Sequence, residues 1–79
     1  MLMPKSKKTF KDYMEFRIVL LNNGIKDQSE FAKFMGLGNA AISERFSGKQ
    51  DWRTRELIFM SKKFKLLLDE IVRLLEIDE

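Results

Sequence analysis

The side chains of this sequence able to do chemistry together are hydrogen-bonding and charged groups near its centre. Asn39, Ala40, Ser43, Glu44 and Ser47 recur three and four residues apart, the spacing that puts residues on one face of a helix. Lys49 and Arg53 follow, and Lys5, Lys7 and Lys8 cluster near the start. These cations, with the side chains and backbone around Ser47, Gly48, Lys49 and Gln50, suit contacts to phosphate oxygens. The sequence contains no Cys and no His. Disulfides, a Cys/His metal site and Ser-His or Cys-His nucleophile arrangements are therefore excluded within it. Carboxylates remain for acid–base work, but nothing sets two of them around a pocket. The chain reads as a binding protein, not an enzyme, with no metal or cofactor.

The elements that must position these groups follow from apolar spacing. In residues 28–48, QSEFAKFMGLGNAAISERFSG, Phe31, Ala32 and Met35 fall at i, i+1 and i+4 and make one stripe on a helix. Gly36 stops that helix, and Leu37 returns an apolar side chain to the same core. Ile42 and Phe46, four apart, form the buried face of a second helix. Small Ala32, four residues before Gly36, lets the two helices cross closely, so both residues are expected to be buried at the crossing. Two short helices joined by a glycine-bearing turn are the pattern of a helix-turn-helix, here over residues 28–47, whose second helix is built to enter the DNA major groove.

The flanking sequence supplies more helix. Residues 1–8, with the only proline and three lysines, lack apolar periodicity and read as a flexible basic arm, leaving residues 9–79 as a single domain. Thr9 and Asp12 make a capping pair for a first helix with a wide apolar face of Phe10, Tyr13, Met14, Phe16, Ile18, Val19, Leu20 and Leu21, ending at Asn22, Asn23 and Gly24. Asp27 and Glu30 have capping-box spacing for the next helix. Asp51 is the expected cap of a fourth helix carrying Trp52, Leu57, Ile58 and Phe64, with Trp52 read as core. A fifth pattern runs through Leu67, Leu68, Ile71, Leu74 and Leu75. The junction near Lys65 lacks Gly, Pro or a good cap, which leaves these two helices continuous or kinked. The expected fold is an all-α compact bundle of about five helices.

Seventy-nine residues bury one small core and no deep catalytic cleft. The net charge of +3 hides an asymmetry. Residues 1–65 carry 14 Lys/Arg against 7 Asp/Glu, whereas residues 66–79 carry one Arg against five acids. The basic part contains the proposed DNA-reading pair, which suits a polyanionic partner through counterion release. With no apolar run of 18 residues and no signal-like start, the expected location is the cytoplasm, without a membrane partner.

Gln28, the Ala32/Gly36 pair, Leu37-Gly38-Asn39, Ile42 and Phe46-Ser47-Gly48, in that order, resemble the helix-turn-helix of small phage regulators of the lambda-repressor-like (Cro and repressor) family. The likeness extends more loosely over residues 10 to 75. The resemblance implies that the outward face of the 39–47 helix meets base edges. Asn39 then stands where an amide pairs with adenine N6 and N7, and Gln28 where a second amide contacts phosphate and braces the first. Ala40 is left a thymine methyl, and Ser43 a base or phosphate. Two residues depart from the family. Glu44 must accept from cytosine N4 or be repelled by phosphates. Arg45 replaces a usually apolar residue, so its stem is expected along the core edge with its head in solvent, available to a phosphate or an acidic protein.

The function implied is a DNA-binding transcriptional regulator of a phage lysogeny switch, in the bacterial host cytoplasm, acting as a dimer on double-stranded operator DNA without a small-molecule substrate. The runner-up is an antirepressor, a modulator of repression that binds the cognate repressor protein through the same surface. Glu44, Arg45 and the scarcity of base readers favour it. Leu67, Leu68, Ile71, Val72, Leu74 and Leu75 exceed what one small core takes on one side, which suits a homodimer contact through the last helix.

Overall fold

In the computed structural model, which describes residues 8–77, Thr9 donates its amide and its hydroxyl to the Asp12 carboxylate, at 2.7 and 3.2 Å. The amide bond above all holds the Asp12 carboxyl below its ordinary range. The expected capping pair exists, but it closes a 3₁₀ turn, Phe10–Asp12, not a long helix. The chain breaks at Tyr13, and helix α1 occupies Met14–Asn22. The spacing explains the break: Phe10, Tyr13 and Phe16 lie three apart, the period of a 3₁₀ turn, and all three are buried.

Helix α2 spans Gln28–Met35, α3 Asn39–Ser47, α4 Thr54–Phe64 and α5 Leu68–Leu74, and no strand occurs among the described residues. Asp27 caps α2 by accepting the Glu30 amide at 2.9 Å. The return bond of the capping box is displaced by one residue, since Glu30 accepts from the Lys26 amide at 2.6 Å and not from Asp27. Gly36 ends α2 with φ +73°, and the Leu37 amide donates back to the Ala32 carbonyl at 2.9 Å. Ala32 is buried as expected, but Gly36 is exposed, and a Cβ there would meet nothing within 4 Å. Its glycine serves the left-handed turn and not a close helix crossing.

Helix α4 begins three residues beyond the expected cap. Asp51 is exposed and outside the helix, and Glu56 accepts the Arg53 amide at 2.9 Å in the first turn. Its other end answers the question the sequence left open. Lys65 takes a left-handed conformation, φ 57°, and separates α4 from α5 without a glycine. The Leu66 amide donates to the Ser61 carbonyl at 3.0 Å, and the Ser61 hydroxyl donates to the Leu66 carbonyl, closing that turn.

The core is aromatic. Phe46 meets Phe10, Tyr13, Phe16, Phe31 and Trp52 with ring centroids 5.0–6.1 Å apart. Phe34 stacks on Phe64 at 5.3 Å. Each such pair adds about 0.5–1.5 kcal/mol beyond the burial of its area. Trp52 packs on this cluster as expected. The wide apolar face of the first helix divides: Phe16 and Leu20 are buried, whereas Met14, Ile18 and Leu21 are exposed. Ile71 of α5 and Leu75 just after it are buried in this chain's own core, so the apolar remainder there is mainly exposed Leu67 and Leu68, at the start of the helix. Among the described residues no helix is long and apolar enough to cross a membrane.

Candidate functional site

Helix α3 is oriented by Ile42 and Phe46, which are 0 and 2% exposed. Burying that side turns Asn39, Ala40 and Ser43 to solvent, with Glu44 and Ser47 half-buried at the margin. Helix α2 buttresses the outward side. The Gln28 amide nitrogen, Nε2, donates to Ser43 Oγ at 2.7 Å and to the Asn39 carbonyl at 3.3 Å. These two bonds hold α3 and use both N–H groups of that amide. Gln28 retains only Oε1, an acceptor, so the expected phosphate contact is not available from this side chain in the observed arrangement.

Asn39 donates through Nδ2 to Ser29 Oγ at 3.0 Å. One amide N–H and Oδ1 remain, the donor and acceptor pair that an adenine edge requires. Ser43 receives its bond from Gln28 and keeps its hydroxyl hydrogen for a partner. The Ser47 hydroxyl is spent on the Glu44 carbonyl at 3.2 Å. Gly48, at φ +85°, reverses the chain, and the Lys49 and Gln50 amides donate to the same Glu44 carbonyl at 2.9 and 3.1 Å. The Gly48 amide donates to the Arg45 carbonyl. The backbone donors expected to face phosphate here are therefore turned inward, which leaves that role to the exposed side chains of Lys49 and Arg53.

Arg45 corrects the sequence reading most sharply. Its head is not in solvent. Nε and Nη2 donate to the two Glu56 carboxylate oxygens at 2.9 and 3.0 Å, and Nη1 donates to the Ala41 carbonyl at 3.0 Å. The two side chains are only 8 and 9% exposed. Burial pushes the Glu56 carboxyl up, but the hydrogen bonds from Arg45 and the Arg53 amide, with the two positive charges, leave it below its ordinary range. Three of the five guanidinium N–H groups are committed within the protein. It ties the end of α3 to the first turn of α4.

Lys8, expected within a free basic arm, forms an ion pair with Glu76 and lies 5.5 Å from the Tyr13 ring centre. The Glu76 bond raises its pKa. Lys5 and Lys7 lie outside the described residues. The Tyr13 hydroxyl, whose pKa burial raises, donates to the Phe46 carbonyl at 2.9 Å and fastens the first turn to the end of α3.

A groove of about 240 Å³ gathers part of the expected set: Gln28, Ser43, Glu44, Ser47 and Lys49 line it with Lys8, Thr9 and Phe10. Asn39, Ala40 and Arg53 lie outside it. A wider cleft of about 710 Å³, lined by Trp52, Leu75 and Glu76 among others, takes only Arg45 and Ser47 from the same set, and Arg45 is already paired. Ser29 and Glu56 complete these arrangements and were not picked out by sequence, whereas Thr9, also on the groove, was read only as a cap. Glu56 alone carried a signal, as an acid in the first turn of a helix. Among the described residues no group of three His, Cys, Asp or Glu side chains converges as a metal site would need. Compared with known proteins, the chain matches no protein-family model, no curated protein and no solved structure.

Proposed function

We propose that this chain is a non-catalytic, sequence-specific DNA-binding regulator of the helix-turn-helix type, with α3 as the helix that enters the major groove of an operator. The observation that carries this reading is the bracing of α3 from the first residue of α2. Gln28 holds both Ser43 and the Asn39 backbone, so the outward side chains of α3 are presented from a fixed support. Asn39 keeps an adenine-matching edge, and exposed Lys49 and Arg53 follow where phosphates would flank the groove. The resemblance to small phage Cro and repressor proteins, set out from the sequence, supports the same assignment. In that setting the protein acts in the cytoplasm as a dimer.

The test is titration onto duplex DNA at about 50 and 200 mM salt, where a protein contacting several phosphates loses orders of magnitude in affinity. Lys49→Ala or Arg53→Ala should each flatten the salt dependence by about one charge equivalent on every sequence. Affinity independent of salt and of both lysine and arginine would overturn the reading.

A second reading is favoured by one observation. With Arg45 withdrawn into its pair with Glu56, the outward face of α3 carries a single charge, the carboxylate of Glu44. Such a face suits the basic surface that a repressor offers to DNA, as an antirepressor would require. Titrating wild type and Glu44→Gln against a purified helix-turn-helix repressor separates the two. Repressor binding weakened by the substitution, with no DNA binding, would favour the antirepressor.

A further inference from the structure

We propose that Glu44 is a specificity-determining residue of this surface and selects cytosine at one position of the operator, an assignment that rests on the DNA-binding reading. Few hydrogen-bonding groups on α3 and its support remain unused. Glu44 is half-buried on the groove wall beside Gln28, Ser43 and Ser47. Its carboxylate has no hydrogen-bond or ion-pair partner among the described residues, and Lys49, on the same groove, does not reach it.

The neighbouring donors are largely consumed. The Asn39 carbonyl can only accept, so its contact with Gln28 fixes which end of that amide faces it. Both Gln28 N–H groups then point into the protein, and Oε1 is what remains. The Ser47 hydroxyl hydrogen goes to the Glu44 carbonyl. The middle of the face therefore offers a carboxylate and an amide oxygen, two acceptors. Ser43 is the neighbouring group that still holds a hydrogen to donate.

Acceptors need donors, and the major-groove edges of the four bases differ in this respect. Guanine presents N7 and O6, and thymine O4 with its methyl group, so both confront the carboxylate with acceptors or a hydrocarbon. Adenine presents an N6 donor but sets the N7 acceptor beside it. Cytosine presents its N4 donor with no acceptor adjacent on that edge. A carboxylate held in a half-buried groove thus satisfies itself best on cytosine, and on the wrong base it is left unpaired and partly desolvated, which gives strong discrimination. Asn39, nearer the start of α3, keeps one donor with its acceptor and complements this with adenine. The face then reads amino groups at two positions.

The experiment is selection from a randomised duplex library by wild type, Glu44→Gln and Glu44→Ala, each first shown to be folded by circular dichroism and melting. Wild type should enrich a cytosine at one position, and replacing it by thymine should weaken binding about 10- to 100-fold. Glu44→Gln keeps an acceptor and adds a donor, so it should admit adenine there and bring cytosine and adenine to within about twofold. Glu44→Ala should lose the preference at that position alone. Identical preferences for wild type and Glu44→Gln, or an enriched guanine at the position that responds to the substitution, would overturn the assignment while leaving DNA binding standing. Salt-dependent binding with no sequence preference would do the same. Failure of every form to bind any duplex would overturn the DNA-binding reading, and the assignment with it.

Discussion

Arg45→Met should be among the most destabilising single substitutions in this chain. It removes a guanidinium that makes two charge-assisted bonds to Glu56 and one to the Ala41 carbonyl. Glu56, 8% exposed, would keep only the Arg53 amide among its present partners. Removing one member of a buried pair costs about 3–5 kcal/mol, because the other charge is left uncompensated. A 79-residue domain has about 4–12 kcal/mol of stability in total, so the variant should be marginal at room temperature. At about 4–8 °C per kcal/mol, its melting temperature should fall by at least about 12 °C. The double variant Arg45→Met/Glu56→Leu removes both charges and should recover most of the loss, giving a large coupling energy in urea denaturation monitored by circular dichroism. The acid limb provides a second readout. Because the folded pKa of Glu56 is lowered, its contribution is complete above the ordinary glutamate value of about 4.3 and is lost as pH falls through the lower folded value. In Arg45→Met the guanidinium is gone and burial dominates, which raises the Glu56 pKa. Acidification from neutral pH should then stabilise that variant relative to wild type. An Arg45→Met protein within about 1 kcal/mol of wild type, or a double variant as unstable as the two singles added, would refute the account of this pair.

Ala32→Leu should overpack the core by about 1–3 kcal/mol, since Ala32 is 3% exposed. Gly36→Ala, where a Cβ has open space but the backbone is left-handed, should cost about 1–2 kcal/mol from strain alone, and thermal melts of the two compare packing with conformation directly. Tyr13→Phe should cost about 1 kcal/mol in urea unfolding through the lost bond to the Phe46 carbonyl; a larger loss would mean that the hydroxyl organises more than that one contact. Asn39→Ala should cost about 1–3 kcal/mol on a selected operator and almost nothing on random DNA, so equal losses on both would remove it as a base reader.

What was legible in the sequence is what depends on neighbours along the chain. Asp27 caps α2, Gly24, Gly36 and Gly48 take left-handed conformations after their helices, and Ile42 and Phe46 face inward. Each follows from groups within about one helical turn. The outward set of α3 was legible for the same reason, because burying one side of a helix exposes the other. Local patterns misled where a capping residue or an apolar run had two uses. Thr9 and Asp12 close a 3₁₀ turn, Asp51 caps nothing, and a lysine at position 65 adopts a backbone conformation usually left to glycine. What the tertiary structure alone decided is which polar groups are still free to bind. Arg45 and Glu56 lie 11 residues apart, Gln28 and Ser43 15, and Lys8 and Glu76 68. The partners do not share a helix, so no period within one helix links them; they meet because the aromatic core packs the elements together. A long side chain finds its partner wherever that packing brings an opposite charge or an open lone pair within reach, so the type of each group is written in the chain, while its availability is settled only by the fold.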